Sequence, residues 1–389
     1  MLTIVAAPNA FKGSASAAEV CRCIERAARG LSAPVRVVSL PMADGGDGTA
    51  DVLRTALNGK WLRAIVRGPR GKSITSRYAW CPGTRTAIIE MALASGLALL
   101  KLSGRKPLHT TSHGTGELIA HALGQGARRI LIAVGGSATV DGGAGALQAL
   151  GAQFHDKRGR LIADPLTGGK LSSIHHADLS RLRETVSRAK LEVVCDVSNP
   201  LLGAFGAARV FGPQKGATPA DVRTLEGNLA TFSKVLCQAA GKNPRALSTV
   251  AGTGASGGLA FGLLVGCGAA IRPGARLVAD LIALEKQIAS CNLVISGEGA
   301  VDSQSFMGKV PDEVARLARK HRKPLVLIGG SINLGIRELR RRGVTAAFPL
   351  VRGPISLDEA LRQTPALLTE TAANVMAALV DSIPRLRLS

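Results

Sequence analysis

Residues 2–19 read LTIVAAPNAFKGSASAAE, and this stretch holds a short apolar run, a polar loop and the beginning of a helix. The first six residues are apolar except for one threonine. Ser16 and Glu19 have the spacing of a capping box, in which each side chain accepts the other residue's backbone N–H at a helix start. The stretch therefore predicts a β-strand, a loop and a helix that runs to about Ala28.

The same strand, loop and helix pattern recurs along the chain. Residues 35–40 (VRVVSL) precede an acidic, glycine-rich loop and a helix that begins near Thr49. Residues 293–296 (LVIS) and 325–328 (LVLI) are short buried strands, separated by a helix over residues 311–320. Alternating strands and helices predict an α/β fold with a parallel sheet.

The rest of the chain is less regular. Residues 87–91 and 130–134 are predicted strands, and the second leads into a glycine-rich bend. Residues 259–271 are apolar but shorter than the ~20 residues that span a bilayer, so they predict a buried helix. A Ser-x-x-Glu capping box at 356–359 predicts a C-terminal helical segment, interrupted or restarted at Pro365.

Composition limits the class of protein. The 389 residues carry a formal net charge of +22, and only 3% of them are aromatic. Such a charge attracts nucleotides, carboxylates or nucleic acid, but side chains that stack on single-stranded bases are scarce. Seven cysteines form no Cys-x-x-Cys pair, which suits a reducing compartment and predicts a cytoplasmic protein without membrane attachment. A monomer and a homodimer both stay open.

Polar loops follow several of the predicted strands. Ligands bind there in open α/β sheets, because helix N-termini at these loops attract anions. Lys12 and Ser14 follow the first strand, and Lys12 is placed to bind a phosphate or a carboxylate. Ser137 and Asp141 lie in a glycine-rich loop of the same type. The alternatives are that Lys12 is a solvated charge and that Ser14 is a helix cap. The loop of Ser137 and Asp141 could equally be a plain glycine-rich connection. His113 is the one histidine that merits a test.

The loop after the second predicted strand contains Asp44, Gly45, Gly46 and Asp47. Its two carboxylates are candidate Mg²⁺ ligands, directly or through water. The glycines let the backbone come close to a bound nucleotide or substrate. The alternative is an acidic turn in which Asp47 favours the adjacent helix N-terminus.

Asp196 follows a mostly apolar run and is our first candidate for the general base. A strand-end carboxylate is held rigidly and needs only hydrogen-bond reach to take a proton from a substrate hydroxyl. Asn199 lies in the same loop, and Gln214 and Lys215 lie in a constrained loop further on, all as candidate binding residues. The alternative for Asp196 is a local cap of backbone N–H groups.

Residues 297–309 (GEGAVDSQSFMGK) form the densest polar loop in the sequence. Glu298 is a candidate Mg²⁺ ligand, Asp302 and Lys309 are candidate catalytic residues, and Gln304 is a candidate binding residue. Acids for Mg²⁺ and a cation for the transferred group are what phosphoryl transfer requires. The chain has no Walker A pattern and no good dinucleotide-binding fingerprint.

Several motifs occur in an order that resembles the successive motifs of the type I glycerate kinase family: APNAFKGS, MADGGDGT, TSHGTGELI, GGSATVDGGAG, CDVSNPL, FGPQKGA, GTGASGGL and SGEGAVDSQSFMGKVP. The resemblance runs from Ile4 to about Pro349. It implies ATP- and Mg²⁺-dependent phosphorylation of D-glycerate, in most bacterial members at the 2-hydroxyl, to give 2-phosphoglycerate and ADP. The alternatives are formation of 3-phosphoglycerate, a related hydroxy acid as substrate and, remotely, a basic anion- or nucleic-acid-binding regulator.

The resemblance also implies an architecture. A Rossmann-like parallel-sheet domain is built from both chain ends, residues 1–65 and 287–389. A second α/β domain, residues 66–286, is inserted between them, with the active-site cleft at the junction.

The family's polar signature positions match the loop residues named above, and we assign catalysis to Lys12, Asp196, Asp302 and Lys309. The chain departs from the family, which usually has Asp-Ser at Asn9-Ala10, Glu at Asp47 and Asn at Val140. The amide at position 9 argues against a metal or base role there.

Overall fold

Hydrogen-bonded strands form three sheets within residues 2–31, 34–351 and 353–386, the part of the chain that a computed structural model describes. The strands are β1 (Leu2–Ala6), β2 (Val35–Ser39), β3 (Lys60–Arg67), β4 (Ser73–Cys81), β5 (Thr86–Glu90), β6 (Arg129–Ala133), β7 (Gln153–His155), β8 (His176–Asp178), β9 (Lys190–Cys195), β10 (Ala270–Pro273), β11 (Leu293–Val301), β12 (Leu325–Ile332) and β13 (Ala346–Pro349).

Helices connect most of these strands. They are α1 (Ala17–Arg29), α2 (Thr49–Ala56), α3 (Ala92–Ser95), α4 (His113–Gly124), α5 (Ala144–Ala149), α6 (Ser180–Val186), α7 (Ala207–Phe211), α8 (Pro219–Ala240), α9 (Pro244–Ser248), α10 (Ala255–Gly266), α11 (Gly274–Leu281), α12 (Leu284–Ser290), α13 (Val310–Lys320), α14 (Ile336–Arg341) and α15 (Leu357–Leu386).

The chain divides into two compact units. The first unit contains residues 1–44 and 274–389, and the second contains residues 45–273. The domain bounds predicted from the sequence, after residues 65 and 286, lie later in the chain than those of the units. As domain limits they stay a prediction.

A five-stranded parallel sheet forms the centre of the first unit, in the order β13-β12-β11-β1-β2. Strand β1 lies between β11 and β2, where Ile4 pairs with Leu293 on one side and with Val37 on the other. The N-terminal strand is therefore hydrogen-bonded to a strand from the last third of the chain. The predicted α/β fold with parallel strands is confirmed.

Helix α1 covers one face of this sheet. The predicted capping box is present, because Ser16 accepts the N–H of Glu19 and the Glu19 carboxylate accepts the N–H of Ser16. Val20 and Ile24 are buried on the face of α1 that joins the apolar core of the unit. Apolar spacing and the cap together explain why this segment is helical where it is.

Helix α15 packs against α1 and is continuous through Pro365. The predicted interruption at that residue is therefore wrong. A proline inside a helix removes one backbone hydrogen bond and crowds the preceding turn. Burial of Leu368, Ala372 and Met376 in the core offsets this cost.

A six-stranded mixed sheet forms the centre of the second unit, in the order β10-β9-β6-β5-β4-β3. Strands β10, β9, β6 and β5 are parallel, whereas β4 pairs antiparallel with β5 and with β3. Strands β7 and β8 form a separate antiparallel pair. The carboxyl ends of β5, β6 and β9 lie at one edge of the large sheet.

Helix α10 differs from the buried helix predicted over residues 259–271. It begins at Ala255, bends through residues 256–258, which have positive φ, and ends at Gly266. Gly268, with φ +67°, then turns the chain into β10. A left-handed glycine ends the helix before the apolar run does. Among the helices described, none combines the length and apolar character that a bilayer crossing requires.

We expect Leu368→Ala to lower the free energy of unfolding by about 2–5 kcal/mol, because it leaves a cavity beneath α15. Leu368 is 0% exposed, whereas Leu357 on the same helix is 73% exposed. Urea unfolding of both variants checks this, with Leu357→Ala as the matched control. Equal losses in the two variants would contradict the packing assigned to α15.

Candidate active site

Asn9 joins the loops that follow β1 and β2 in the first unit. Its backbone N–H donates to the carbonyl oxygen of Gly297 at 2.8 Å, which fixes it beside β11. Its side-chain Nδ2 donates to Oδ2 of Asp44 at 3.2 Å, and its Oδ1 accepts the N–H of Ala10 at 2.9 Å. A carboxylate at position 9 could not donate to Asp44, so the amide gives this pair an attractive contact.

Lys12 and Ser14 lie in a tight turn after β1. The turn is closed by the N–H of Phe11, which donates to Ala15 O at 2.8 Å, and Gly13 in it has φ +79°. Ser14 Oγ donates to the carbonyl of Phe11 at 3.1 Å, so this hydroxyl supports the turn. The Lys12 side chain is exposed, as a residue that meets a soluble anion must be.

Glu298 is a buried acid on β11, only 8% exposed. Burial raises its pKa, Asp44 and Asp302 raise it further by repulsion, and Lys309 and a hydrogen bond from Ser305 lower it. These charges act on Glu298 because they lie around it. Within the described residues, Glu298 Oε1 is buried without a hydrogen-bond partner. Such an oxygen suits a cation or a donor brought by a ligand.

Asp302 is partly engaged in local structure. Its Oδ1 accepts the N–H groups of Gln304 at 2.8 Å and Ser305 at 3.2 Å, which caps the short 3₁₀ helix Ser303–Phe306. Gln304 itself is exposed. Lys309 is the half-buried residue that precedes α13. The predicted residues of this loop thus share one strand end, and Asp302 has a capping role in addition to any role in catalysis.

No group of three or more His, Cys, Asp and Glu side chains that could hold a metal ion occurs in the described ranges. Asp44 and Glu298, two of the predicted metal ligands, lie in the first unit, and Asp47 lies in the second. Mg²⁺ is commonly held by one or two carboxylates together with substrate phosphates. Glu298 Oε1, which has no hydrogen-bond partner in the part of the chain that the structure describes, and Asp44, whose charge acts on Glu298, fit that smaller requirement.

In the second unit, the loop before α2 packs against the ends of β6 and β9. Gly135 N–H donates to the carbonyl of Gly45 at 3.1 Å. Gly45 has φ +99°, and a Cβ there would lie 2.6 Å from the carbonyl oxygen of Val194. Asp196 follows β9 two residues after Val194 and is half-buried. Only glycine at position 45 allows the backbone to come this close to the strand that carries Asp196.

Asp47 lies beside the glycines that follow β6. A Cβ on Gly136 would lie 3.1 Å from Asp47 Oδ1, and one on Gly135 would lie 2.7 Å from Gly46 Cα. The predicted loops at 45–47 and 135–137 are therefore in contact. They form one glycine-rich, acidic surface at the carboxyl ends of β6 and β9.

Glu90 is a residue of this region that sequence reasoning missed. It is the last residue of β5, is 8% exposed, and its Oε1 accepts the N–H of Ala50 at 2.7 Å. Burial raises its pKa, and Asp47 raises it further. Helix α2 has Gly48 at its N-cap and no side-chain cap of its own, so Glu90 supplies the acceptor. An acid that ends an otherwise apolar strand was the available signal.

Lys215 is a buried amine that holds the loop after β6. It is 2% exposed, and its Nζ donates to Ser137 Oγ at 2.6 Å and to Thr139 O at 2.8 Å. Burial lowers the pKa of Lys215 to about 7, against the attraction of Asp141. A neutral amine still has two N–H groups for these two acceptors. Lys215 therefore orients the Ser137 hydroxyl from the buried side of the loop.

Asp141 is 0% exposed and also supports the loop from inside. Its Oδ2 accepts the N–H of Ser112 at 2.7 Å and the Ser112 hydroxyl at 2.8 Å, and its Oδ1 accepts Gly143 N–H at 3.2 Å. Burial raises the pKa of Asp141, and these hydrogen bonds oppose the rise. The contacts indicate a structural role for this predicted binding residue.

Three other residues singled out from the sequence lie elsewhere in the second unit. Asn199 Nδ2 donates to Phe205 O at 2.9 Å, and Gln214 is exposed. His113 Nδ1 lies 3.3 Å from Oε1 of Glu117, and burial lowers the pKa of His113. The contacts of Asn199 and His113 are internal, whereas Gln214 is accessible to a ligand.

Each unit thus gathers its own set of polar side chains at the carboxyl ends of parallel strands. In the first unit these are Lys12, Asp44, Glu298, Asp302 and Lys309, and in the second they are Asp47, Glu90, Ser137 and Asp196. Acids, cations and glycine-rich backbone at such strand ends are the setting of an enzyme that transfers phosphoryl groups.

Comparison with known proteins gives the same class. Residues 4–380 match the model of the glycerate kinase family. The Escherichia coli (strain K12) protein named glycerate 2-kinase is 41% identical over 378 residues, which cover 97% of this chain and 98% of that protein. The Bacillus subtilis (strain 168) glycerate kinase is 40% identical over 97% of this chain and 98% of its own length. A crystal structure from Salmonella typhimurium LT2, assigned as glycerate kinase 2, has a TM-score of 0.85 at 40% identity and covers 99% of both chains.

These matches make the chain a kinase, which uses ATP as phosphoryl donor. It belongs to the glycerate kinase family.

We expect the buried amine of Lys215 to make stability depend on pH. Its folded pKa is about 7, whereas an ordinary lysine has a pKa of 10.5, so above pH 7 the unfolded chain binds the extra proton. The free energy of unfolding should therefore rise with pH in this window and fall as the pH returns to 7. Between pH 7 and pH 9, urea unfolding should show a rise about 2 kcal/mol larger in wild type than in Lys215→Met. Parallel pH profiles would show that Lys215 keeps an ordinary pKa.

Proposed function

We propose that this protein phosphorylates D-glycerate at the 2-hydroxyl, with ATP as donor, to give 2-phosphoglycerate and ADP. The observation that carries the proposal is the 41% identity, over 97% of the chain, to the Escherichia coli protein named glycerate 2-kinase. The strand-end acids and lysines supply the groups that this reaction needs. Phosphorylation at the 3-hydroxyl is the alternative that a product analysis decides.

We assign the Mg²⁺ and triphosphate contacts to the first unit. Asp44 and Glu298, whose Oε1 is buried and has no hydrogen-bond partner among the described residues, would hold the ion. A ligand role for Asp47, which lies in the second unit, stays a prediction. Bound Mg²⁺ neutralises charge on the phosphates and orients them. Lys309 and the exposed Lys12 would bind phosphate oxygens, where a cation stabilises the charge that develops on the transferred group.

We assign the general base to Asp196, at the end of β9 beside the glycine-rich surface of the second unit. The oxygen of the glycerate 2-hydroxyl forms a bond to the γ-phosphorus, and Asp196 would take the proton of that hydroxyl. The bond from that phosphorus to the oxygen bridging to the β-phosphate breaks, and ADP leaves with the bonding electrons. Ser137, held by Lys215, and Gln214 would bind the glycerate carboxylate and hydroxyl groups. The other predicted binding residues stay predictions: Gly45, Gly46, Asp141, Asn199 and Lys215 in the second unit, and Ser14 and Gln304 in the first.

We further propose that the protein works in the cytoplasm and that its two units act as separate domains. The seven cysteines are free thiols, six of them buried, which agrees with a reducing compartment. A small hydroxy acid and ATP would then be its partners, without nucleic acid.

We expect purified protein to convert ATP and D-glycerate to ADP and a phosphoglycerate only when Mg²⁺ is present. Phosphorus NMR of the product, coupled to the proton on the esterified carbon, distinguishes the 2-phosphate from the 3-phosphate. L-glycerate serves as the control substrate. A product phosphorylated at the 3-position would reject the proposed regiochemistry, and no turnover with either acid would reject the substrate.

We expect Asp196→Asn to lower kcat by roughly 10²- to 10⁴-fold with little change in ATP affinity, because an amide cannot accept the hydroxyl proton. Asp302→Asn is the matched control, since Asp302 caps a 3₁₀ helix and is the alternative base. Steady-state rates and nucleotide binding by calorimetry separate the two effects. A larger loss of kcat in Asp302→Asn than in Asp196→Asn would move the base to Asp302.

A further inference from the structure

A groove of about 650 Å³ lies in the second unit, at the amino-terminal ends of β5 and β6. Three arginines, Arg85, Arg128 and Arg188, contribute to its wall, together with Gly126 and Glu184. Arg85 immediately precedes β5, and Arg128 immediately precedes β6. The groove is therefore at the opposite ends of the strands that carry Glu90 and the loop of Ser137.

Arg85 is held in this groove by a backbone conformation that is costly for a residue with a side chain. Its φ is +48°, in the left-handed region that favours glycine. Its Nε donates to the carbonyl oxygen of Gly126 at 3.0 Å. A Cβ at Gly126, which itself has φ +81°, would lie 2.8 Å from the Arg85 guanidinium. Strain of this kind persists where the surrounding structure and function maintain it.

Among the residues that line the groove, three arginines outnumber one acid, Glu184. Within the described residues, no ion pair involves Arg85, Arg128 or Arg188. Arg128 Nη1 donates to the carbonyl of Arg188 at 3.3 Å, which ties two walls together. The neighbouring Arg129, in contrast, is paired with Glu192 at 2.6 Å. The residues that line the groove thus carry three positive charges and one negative charge.

We propose that this groove binds a small phosphorylated anion. Guanidinium groups bind phosphate oxygens through paired, charge-assisted hydrogen bonds, and a volume of about 650 Å³ admits a small metabolite. Strands β5 and β6 separate this groove from the glycine-rich surface at their carboxyl ends. Strand β5 begins at Thr86 beside the groove and ends at Glu90, so at 3.3 Å per residue its two ends are about 13 Å apart. The groove is a second anion site, and it does not depend on which hydroxyl the kinase phosphorylates.

A structural role for the same arginines would be to complement the negative C-terminal ends of α4 and α6. This role predicts a loss of stability when Arg85 is removed and no effect on anion binding. Substitution by glycine separates the two roles, because glycine adopts the left-handed conformation without cost. Arg85→Gly therefore removes the guanidinium and relieves the backbone strain together.

The test is calorimetric titration of inorganic pyrophosphate into the full chain saturated with ADP, so that the nucleotide site is occupied. We expect wild type to bind pyrophosphate and Arg85→Gly to bind it at least ~10-fold more weakly, since a charge-assisted pair is lost. Arg128→Ala should weaken binding in the same direction. Thermal unfolding should show Arg85→Gly to be as stable as wild type.

Arg322→Gly is the matched control, because Arg322 also has positive φ, 52°, and lies in the first unit. It loses the same charge and gains the same relief of strain, so its pyrophosphate affinity should equal that of wild type. Equal affinity in Arg85→Gly and wild type would overturn the proposal. So would equal weakening in Arg322→Gly, or the absence of pyrophosphate binding to the ADP-saturated wild type.

Discussion

Parallel hydrogen bonding brings the ends of distant strands to one edge of each sheet, and the candidate site is built on those edges. In the first unit, β1 and β11 pair directly, so the loop of Lys12 and the loop of Glu298 begin side by side. In the second unit, β5, β6 and β9 pair in the same direction and end near Glu90, Ser137 and Asp196. A side chain placed one residue after such a strand inherits the rigidity of the ladder.

The two strand-end surfaces differ in what holds them. In the first unit, the loops are tied by side chains that also carry the charge, as in the contact from Asn9 to Asp44. In the second unit, buried side chains behind the surface hold the loops in place. Lys215 holds Ser137, and Glu90 holds the start of α2. Such support keeps a glycine-rich loop in one conformation, which lowers the entropy lost when a ligand binds.

The sequence was sufficient for elements whose apolar residues form a continuous run. Strand β1 and the first four residues of β11 and β12 are largely buried and almost entirely apolar, whereas residues 297–301, expected in a polar loop, form the second half of β11. Strand β3 could not be found this way, because it lies at a sheet edge and charged residues at 60, 63 and 67 interrupt its apolar residues. The bounds of α10 were also predicted incorrectly, because glycines at both of its ends shift its start and its end from those of the apolar run.

Some residues of the candidate site could be predicted from the sequence, and others could not. Acids and glycines after recognisable strands, such as Asp44 and Asp196, could be predicted from their position in the sequence. Burial could not. Lys215 looked like a loop cation, but in the structure it is enclosed and bonds Ser137 from within. Glu90 could be noticed as an acid at a strand end, but its role at the N-terminus of α2 follows only from the tertiary contact.

The pairing of β1 with β11 has a consequence for how the chain is made. Thr3 donates its N–H to Asn292 Oδ1, across 289 residues of sequence. A ribosome that adds about 5–20 residues per second needs roughly 15–60 s to reach β11 after β1 has emerged. During that time β1 can pair with β2, but the edge of β1 that pairs with β11 and the face of α1 that packs against α15 lack their partners. The sheet of the first unit is therefore completed only after residues 45–273 have been synthesised, so the apolar edge of β1 waits for its partner through most of translation.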